Sequence, residues 1–360
     1  MDLLDFLATE IASLPKKRPN DEPFDSFLHR IFSEYVEAVN QLSDTGPIST
    51  AARNSRPIIE AVCKKLEKAT EEYLRGFPHA AYKHVKSGIK KLGTAFNQLQ
   101  LGSGYSGSMR EFERLYRMRI GKLDRFSRAD LFHVPFESRH KVTTKRYSIS
   151  GLPSLYLGGS LWVCWEEMQR PDFHTIQLAR FRYSQPVTLL DFGFRPRVIA
   201  LLRKTGSNLF DDAWISGYLT CWPLLAACSV RVLHPGMPFV PEYIVPQLLL
   251  QYLRNETELD GLRYFSTHVD QYEASPWAAM NYVFPVQEQA ASGYCPKLRD
   301  KLVLSTPAAW SILEKSDIAT IPMEAESWGV PVTDDQTVPY FKTEFFNCER
   351  KLEGLPVSRL

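Results

Sequence analysis

Apolar residues recur at three- and four-residue steps through the first hundred positions. Phe24, Phe27, Leu28, Ile31, Tyr35, Val39 and Leu42 fall on one stripe of a helix, because 3.6 residues complete a turn. Ile58, Val62, Leu66, Ala69 and Tyr73 make a second stripe, with Pro57 at its start and Gly76 just past its end, residues suited to a first helical turn and to a helix stop. Val85, Ile89, Leu92, Phe96 and Leu99 make a third. Each such helix has an apolar face to bury, so residues 1–100 read as a helical domain whose members pack on one another. The run Leu101-Gly-Ser-Gly-Tyr-Ser-Gly-Ser108 then interrupts the pattern and predicts a linker over 101–110. Beyond it come short β-branched and aromatic runs, Leu152–Leu157, Thr175–Tyr183, Val187–Phe192, Leu262–Phe265 and Asn281–Val286, between helical patterns such as Trp162–Met168 and Tyr243–Arg254. The expected fold class is α+β: a helical N-terminal domain followed by a mixed α/β domain over 111–360.

Composition narrows the function classes. Of 360 residues, 44% are hydrophobic and 23% charged, enough for a sizeable core and too apolar for a disordered chain. The 43 Lys+Arg against 41 Asp+Glu leave a net charge of +2, which argues against a dedicated nucleic-acid or membrane-surface binder. The apolar stretches Leu219–Cys228 and Tyr243–Leu253 are interrupted by Pro223, Pro246 and Gln247 and fall short of a membrane span. An acidic start, Met1-Asp2-Leu3-Leu4-Asp5, lacks the positive charge of a secretory signal. The six cysteines are scattered without a Cys-x-x-Cys spacing and read as reduced packing residues of a cytoplasmic protein. Charge is uneven all the same: residues 101–150 hold 11 Lys+Arg against 5 Asp+Glu, which suits either a solvated basic face or a seat for a small anion such as a pyrophosphate.

Several motifs fail on context. Gly102-Ser-Gly104-Tyr-Ser-Gly107 spells G-x-G-x-x-G, but it follows a helix, whereas a dinucleotide fingerprint needs a strand before it and a helix N-terminus after it. Arg75 is separated by three residues from His79 and by eight from His84, neither of which fits a small helical ribonuclease. The eight histidines form no His-Glu-x-x-His run or Cys–His cluster, so no metal site is expected. No nucleophile elbow G-x-S-x-G falls at a strand-to-helix turn.

One ordered constellation remains. Leu115-Tyr116-Arg117-Met118-Arg119 is strand-like; Lys145-Arg146-Tyr147-Ser148-Ile149-Ser150-Gly151-Leu152-Pro153-Ser154-Leu155-Tyr156-Leu157-Gly158 follows, then a helical Ser160–Met168 carrying Glu166 and Glu167, and later Gly261-Leu262-Arg263-Tyr264-Phe265-Ser266. This set resembles the RES domain, named for its arginine, glutamate and serine. Arg117, Arg146, Tyr156, Glu167 and Ser266 fall on the family's positions, Glu167 eleven residues after Tyr156. Glu166 is a rival for the glutamate, and Ser148 stands where many members have Asn. Glu242–Leu248 and Asn281–Pro285 also look like the family, and the resemblance spans roughly 111–290. Taken singly, each residue has a plainer reading: Tyr156 as a packed strand tyrosine, Glu167 as a solvated helix residue, Arg146 as a surface charge.

The resemblance implies an ADP-ribosyltransferase-like fold and a toxin that consumes NAD as substrate, with no separate cofactor. Breaking the nicotinamide–ribose bond passes through an oxocarbenium-like state, which needs a negative charge beside the ribose and a wall for the departing ring. In that scheme Arg117 and Arg146 hold the pyrophosphate or its ribose, Tyr156 packs on nicotinamide, Glu167 bonds a ribose hydroxyl and stabilises the cation, and Ser266 positions the carboxylate or the nicotinamide amide. Water, phosphate and a protein side chain all remain open as acceptors. An antitoxin or regulatory protein is the implied partner, nucleic acid and membrane are not, and homo-oligomerisation stays open. The alternative is a non-catalytic RES-like module that binds a nucleotide or protein through the basic 101–150 segment.

Overall fold

The computed structural model describes residues 2–42, 46–102, 114–121, 126–207, 209–269, 277–323, 329–333 and 336–360. Its contacts divide the chain into two units, Met1–Leu101 with Thr144–Ile149 and Leu190–Glu258, and Gly102–Thr143 with Ser150–Leu189 and Leu259–Leu360. The periodic stripes become the helices Phe24–Asn40, Arg56–Leu74, Pro78–Leu92 and Thr94–Gln98 of the first unit. Gly76, at a φ of +88°, ends the second of these, its N–H bonding to the Tyr73 carbonyl and that of Phe77 to the Glu72 carbonyl, the closing pattern that favours glycine. Of the anticipated linker 101–110, only Leu101 and Gly102 lie among the described residues, at the end of the short strand Gln100–Gly102.

The first unit takes in a stretch that the sequence assigned to the second domain. The helix Asp212–Ser229 is buried on all sides from Gly217 onward, so no amphipathic period marks its neighbours, and an all-round apolar helix must be enclosed. It packs on the helices Pro47–Asn54, Arg56–Leu74 and Thr94–Gln98. The Trp222 ring stacks on Tyr35 at 3.9 Å, the Tyr35 hydroxyl donates to the Leu219 carbonyl at 2.8 Å, and the Trp222 indole donates to the Ala12 carbonyl.

The second unit is built on an antiparallel sheet. Gly261–Phe265, Met280–Pro285, Ser154–Gly158, Leu115–Ile120, Ile176–Tyr183, Leu302–Ser305 and Val357–Ser358 stand side by side in that order. Together with the helical first unit this makes an α+β fold. The sheet is split. Leu115–Ile120 pairs along its whole length with Ile176–Tyr183, yet it meets Ser154–Gly158 at one rung, Tyr116 opposite Gly158. Past that rung the two strands no longer pair with each other.

One face of the sheet carries a core of Tyr116, Met118, Ile176 and Leu178, under Leu161 and Cys164 of the helix Leu161–Glu167, Trp310 and Leu313 of Trp310–Lys315, and Cys348 and Leu352 of Glu344–Glu353. All six cysteines are free and buried. No helix among the described residues is long and apolar enough to cross a membrane.

Candidate active site

The helix Leu161–Glu167 is fixed at both ends. Ser160 caps it, its Oγ accepting from the Val163 N–H at 3.1 Å and donating to the Ala278 carbonyl at 2.6 Å. The Leu161 N–H donates to Oε1 of Glu349 at 2.7 Å, and the Tyr340 hydroxyl donates to the same oxygen at 2.5 Å. The helix lies so close on the Gly158 strand that a Cβ there would meet Cys164 Sγ at 2.6 Å and Val163 Cγ1 at 2.7 Å. Its C-terminus turns sharply: Gln169 and Arg170 both hold φ near +60°, a left-handed conformation costing roughly 1–3 kcal/mol per non-glycine residue and seen where surrounding structure enforces it. Here the Arg170 N–H donates to the Trp165 carbonyl at 2.9 Å, and its guanidinium lies over the Trp165 ring.

Successive helical residues point about 100° apart, and that angle separates the two glutamates. Glu166 accepts from the Trp162 indole at 3.1 Å and from Arg170 Nε at 3.0 Å. Glu167 turns to the sheet, where its Oε1 accepts from Ser266 Oγ at 2.7 Å and from Asn281 Nδ2 at 2.7 Å. Ser266 is fully buried just beyond the strand Gly261–Phe265, its N–H bonded to the Ala279 carbonyl. Asn281 is buried in the next strand, opposite Gly158. Oε2 of Glu167 has no hydrogen-bond donor among the described residues; His268 Nε2 stands 3.8 Å from it. The Glu167 side chain is 30% exposed, and one of its oxygens is fixed by two buried donors.

The remaining sequence candidates fall in different places. Tyr156 is half-buried and, two residues before Gly158, starts from the same sheet face as Asn281. The structure does not bring Arg117 to the carboxylate: as the residue after Tyr116, it leaves the strand on the face opposite the Glu167 helix, and no ion pair between them occurs among the described residues. It is the first residue past the rung where the sheet splits. Its Nη1 is buried with no hydrogen-bond partner among the described residues, and burial pushes its guanidinium down to about 10. Arg146 belongs to the first unit, where its Nη1 donates to the Cys228 carbonyl at 3.0 Å and its guanidinium lies over the Tyr243 ring. Asn281 and His268 were not singled out as site residues in the sequence. An amide inside an apolar strand, Met280–Pro285, was the available signal for Asn281, since a buried amide must find a partner. Among the described residues no three potential metal ligands converge.

Glu349 anchors the other end of the Glu167 helix, and burial pushes its carboxyl up to about 7, against the bonds from Tyr340 and Leu161. Because this lies above the ordinary value of 4.5, the folded chain holds the proton longer than the unfolded one. The group's contribution to stability is full below about pH 4.5 and is lost as the pH rises to about 7, about 3 kcal/mol at 1.4 kcal/mol per unit. Glu349→Gln keeps an acceptor for Leu161 and Tyr340 and does not ionise. Urea titrations at several pH values are expected to show the variant gaining on wild type by about that amount between pH 4.5 and 7.

A split antiparallel sheet, with a glutamate held at its face by a serine and an asparagine, defines an α+β protein with a carboxylate-centred site. The chain is 30% identical over 343 residues to a Bacillus subtilis (strain 168) protein named "Putative toxin YopC", covering 93% of this chain and 77% of that protein. It belongs to that protein's family. No protein-family model matches the chain, and no solved structure matches it.

Proposed function

We propose that this protein is a toxin-like enzyme of the RES type that cleaves the nicotinamide–ribose bond of NAD. The observation that carries the reading is the carboxylate of Glu167, part-exposed, with Oε1 pinned by Ser266 and Asn281 and Oε2 without a hydrogen-bond donor among the described residues. A ribosyl cation forming beside it would meet a preorganised negative charge that needs no rearrangement at the moment of bond breaking. Oε2 would bond a ribose hydroxyl, and Ser266 would keep the carboxylate turned toward the substrate. The half-buried Tyr156 would pack on the nicotinamide ring. Arg117, beside the split and with no partner for its Nη1 among the described residues, keeps the pyrophosphate-binding role that the resemblance implies. NAD is the substrate, no further cofactor is required, and the partner would be an antitoxin or regulatory protein. The toxin name of the Bacillus subtilis relative favours the same reading.

The test is to incubate the full chain with NAD and follow free nicotinamide, with calorimetry on the same preparation. Release that depends on Glu167 supports the proposal. Binding of NAD without release overturns it in favour of a non-catalytic nucleotide-binding module.

A further inference from the structure

In the reading above, Oε2 of Glu167 faces the donor sugar; the imidazole that stands beside that oxygen bears on the acceptor. Ser266 Oγ donates to Glu167 Oε1 at 2.7 Å and accepts from the backbone N–H of His268 at 3.1 Å. One buried hydroxyl thus sets both the carboxylate and the start of the His268 side chain. The imidazole is 49% exposed, and its Nε2 lies 3.8 Å from Glu167 Oε2. That separation is longer than a hydrogen bond, but such contacts commonly tighten when substrate is bound.

From this arrangement we infer that His268 is the acceptor-side base of the site and that the acceptor it serves is water. The inference rests on the NAD-cleaving reading above. With the proton on Nε2 facing the carboxylate, the Nδ1 lone pair is left for the acceptor, the division of labour by which a carboxylate orients an imidazole in other enzymes. In the step, the C1′–N1 bond of NAD breaks and its electron pair leaves with neutral nicotinamide. A water oxygen forms the new C1′–O bond, its proton passes to Nδ1 of His268, and the imidazole returns that proton to solvent. The products are ADP-ribose, nicotinamide and one proton. Half-exposure of the imidazole fits a small acceptor arriving from solvent.

The experiment uses the full chain, NAD, and the variants His268→Ala and His268→Gln, with melting temperatures recorded for each. The expected result is a fall in kcat of about a hundredfold with KM little changed, the lower range for loss of a general base. Sodium azide, an anion that needs no deprotonation, is expected to restore nicotinamide release in His268→Ala and to give an azido-ADP-ribose product by mass spectrometry. Wild-type turnover in both variants overturns the assignment, and so does a loss that azide does not repair, because a structural role would not respond to the nucleophile. If the wild-type chain releases no nicotinamide at all, the NAD reading itself fails and this inference with it. Activity in wild type that is insensitive to His268 removes the base alone.

Discussion

Glu167→Ala is expected to lower nicotinamide release from NAD about a thousandfold, the range seen when one preorganised electrostatic contact to a transition state is lost. The charge would be wanted most as the ribosyl cation forms, so the loss should fall on kcat, with KM moving little. Alanine also removes the acceptor that two buried donors, Ser266 Oγ and Asn281 Nδ2, now share, at a cost to stability of roughly 1–3 kcal/mol. Glu167→Gln separates the two effects. Its amide oxygen can accept from both donors and keep the fold, but it carries no charge, so turnover should stay near the alanine level while stability returns toward wild type. Glu166→Gln serves as the neighbour control, because Glu166 is committed to Trp162 and Arg170 on another side of the helix; it should retain most of the activity. Equal turnover in wild type and Glu167→Gln would remove the carboxylate from the mechanism.

The contrast between those neighbours also shows where sequence reading ends. Period and alternation located the elements around the site: Leu152–Leu157 was expected and Ser154–Gly158 is observed, Trp162–Met168 was expected and Leu161–Glu167 is observed. They are local properties, carried by residues within a few positions of one another. What holds the carboxylate is not local. Ser266 and Asn281 lie 99 and 114 residues from Glu167, and Glu349 reaches Leu161 across 188. Ser266 was legible through the ordered resemblance, and Asn281 as the first residue of the family-like stretch Asn281–Pro285 and a polar residue in an apolar run; Glu349 sits in a helix with ordinary charged neighbours and carries no signal of burial. The return of Leu190–Glu258 to the helical unit was hidden for a related reason. A helix that is apolar on every side, such as Asp212–Ser229, says that it is enclosed and nothing about which elements enclose it.

Arg180→Ala is expected to destabilise the protein by about 4 kcal/mol, within the range for breaking a buried ion pair from one side. The Arg180 guanidinium is 3% exposed and bonds Glu353 Oε2 at 2.5 Å, the Glu353 carbonyl at 2.9 Å and the Leu355 carbonyl at 2.9 Å. Glu353 in turn takes the Tyr116 hydroxyl at 3.3 Å and Arg182 at 3.0 Å. Removing the arginine leaves two helix-end carbonyls and a nearly buried carboxylate short of a donor. Glu353→Ala should cost less, about 3 kcal/mol, since Arg180 keeps both carbonyls; the double variant should fall short of the summed loss, because the second deletion removes the group stranded by the first. Lysine at 180 should not rescue, as one ammonium cannot present the planar fork that reaches all three acceptors. The damage should extend to the site. Arg180 holds the end of the helix Glu344–Glu353, the same helix presents Glu349 to the Leu161 N–H, and Leu161 begins the helix that ends in Glu167. Urea titration should show the lower midpoint with an unchanged slope. Nicotinamide release measured where Arg180→Ala is still folded should show a lower kcat, although Arg180 bonds Glu353 and Leu355 while Glu167 bonds Ser266 and Asn281; an Arg180→Ala protein with full stability would mean that the C-terminal helix is held by its apolar face alone.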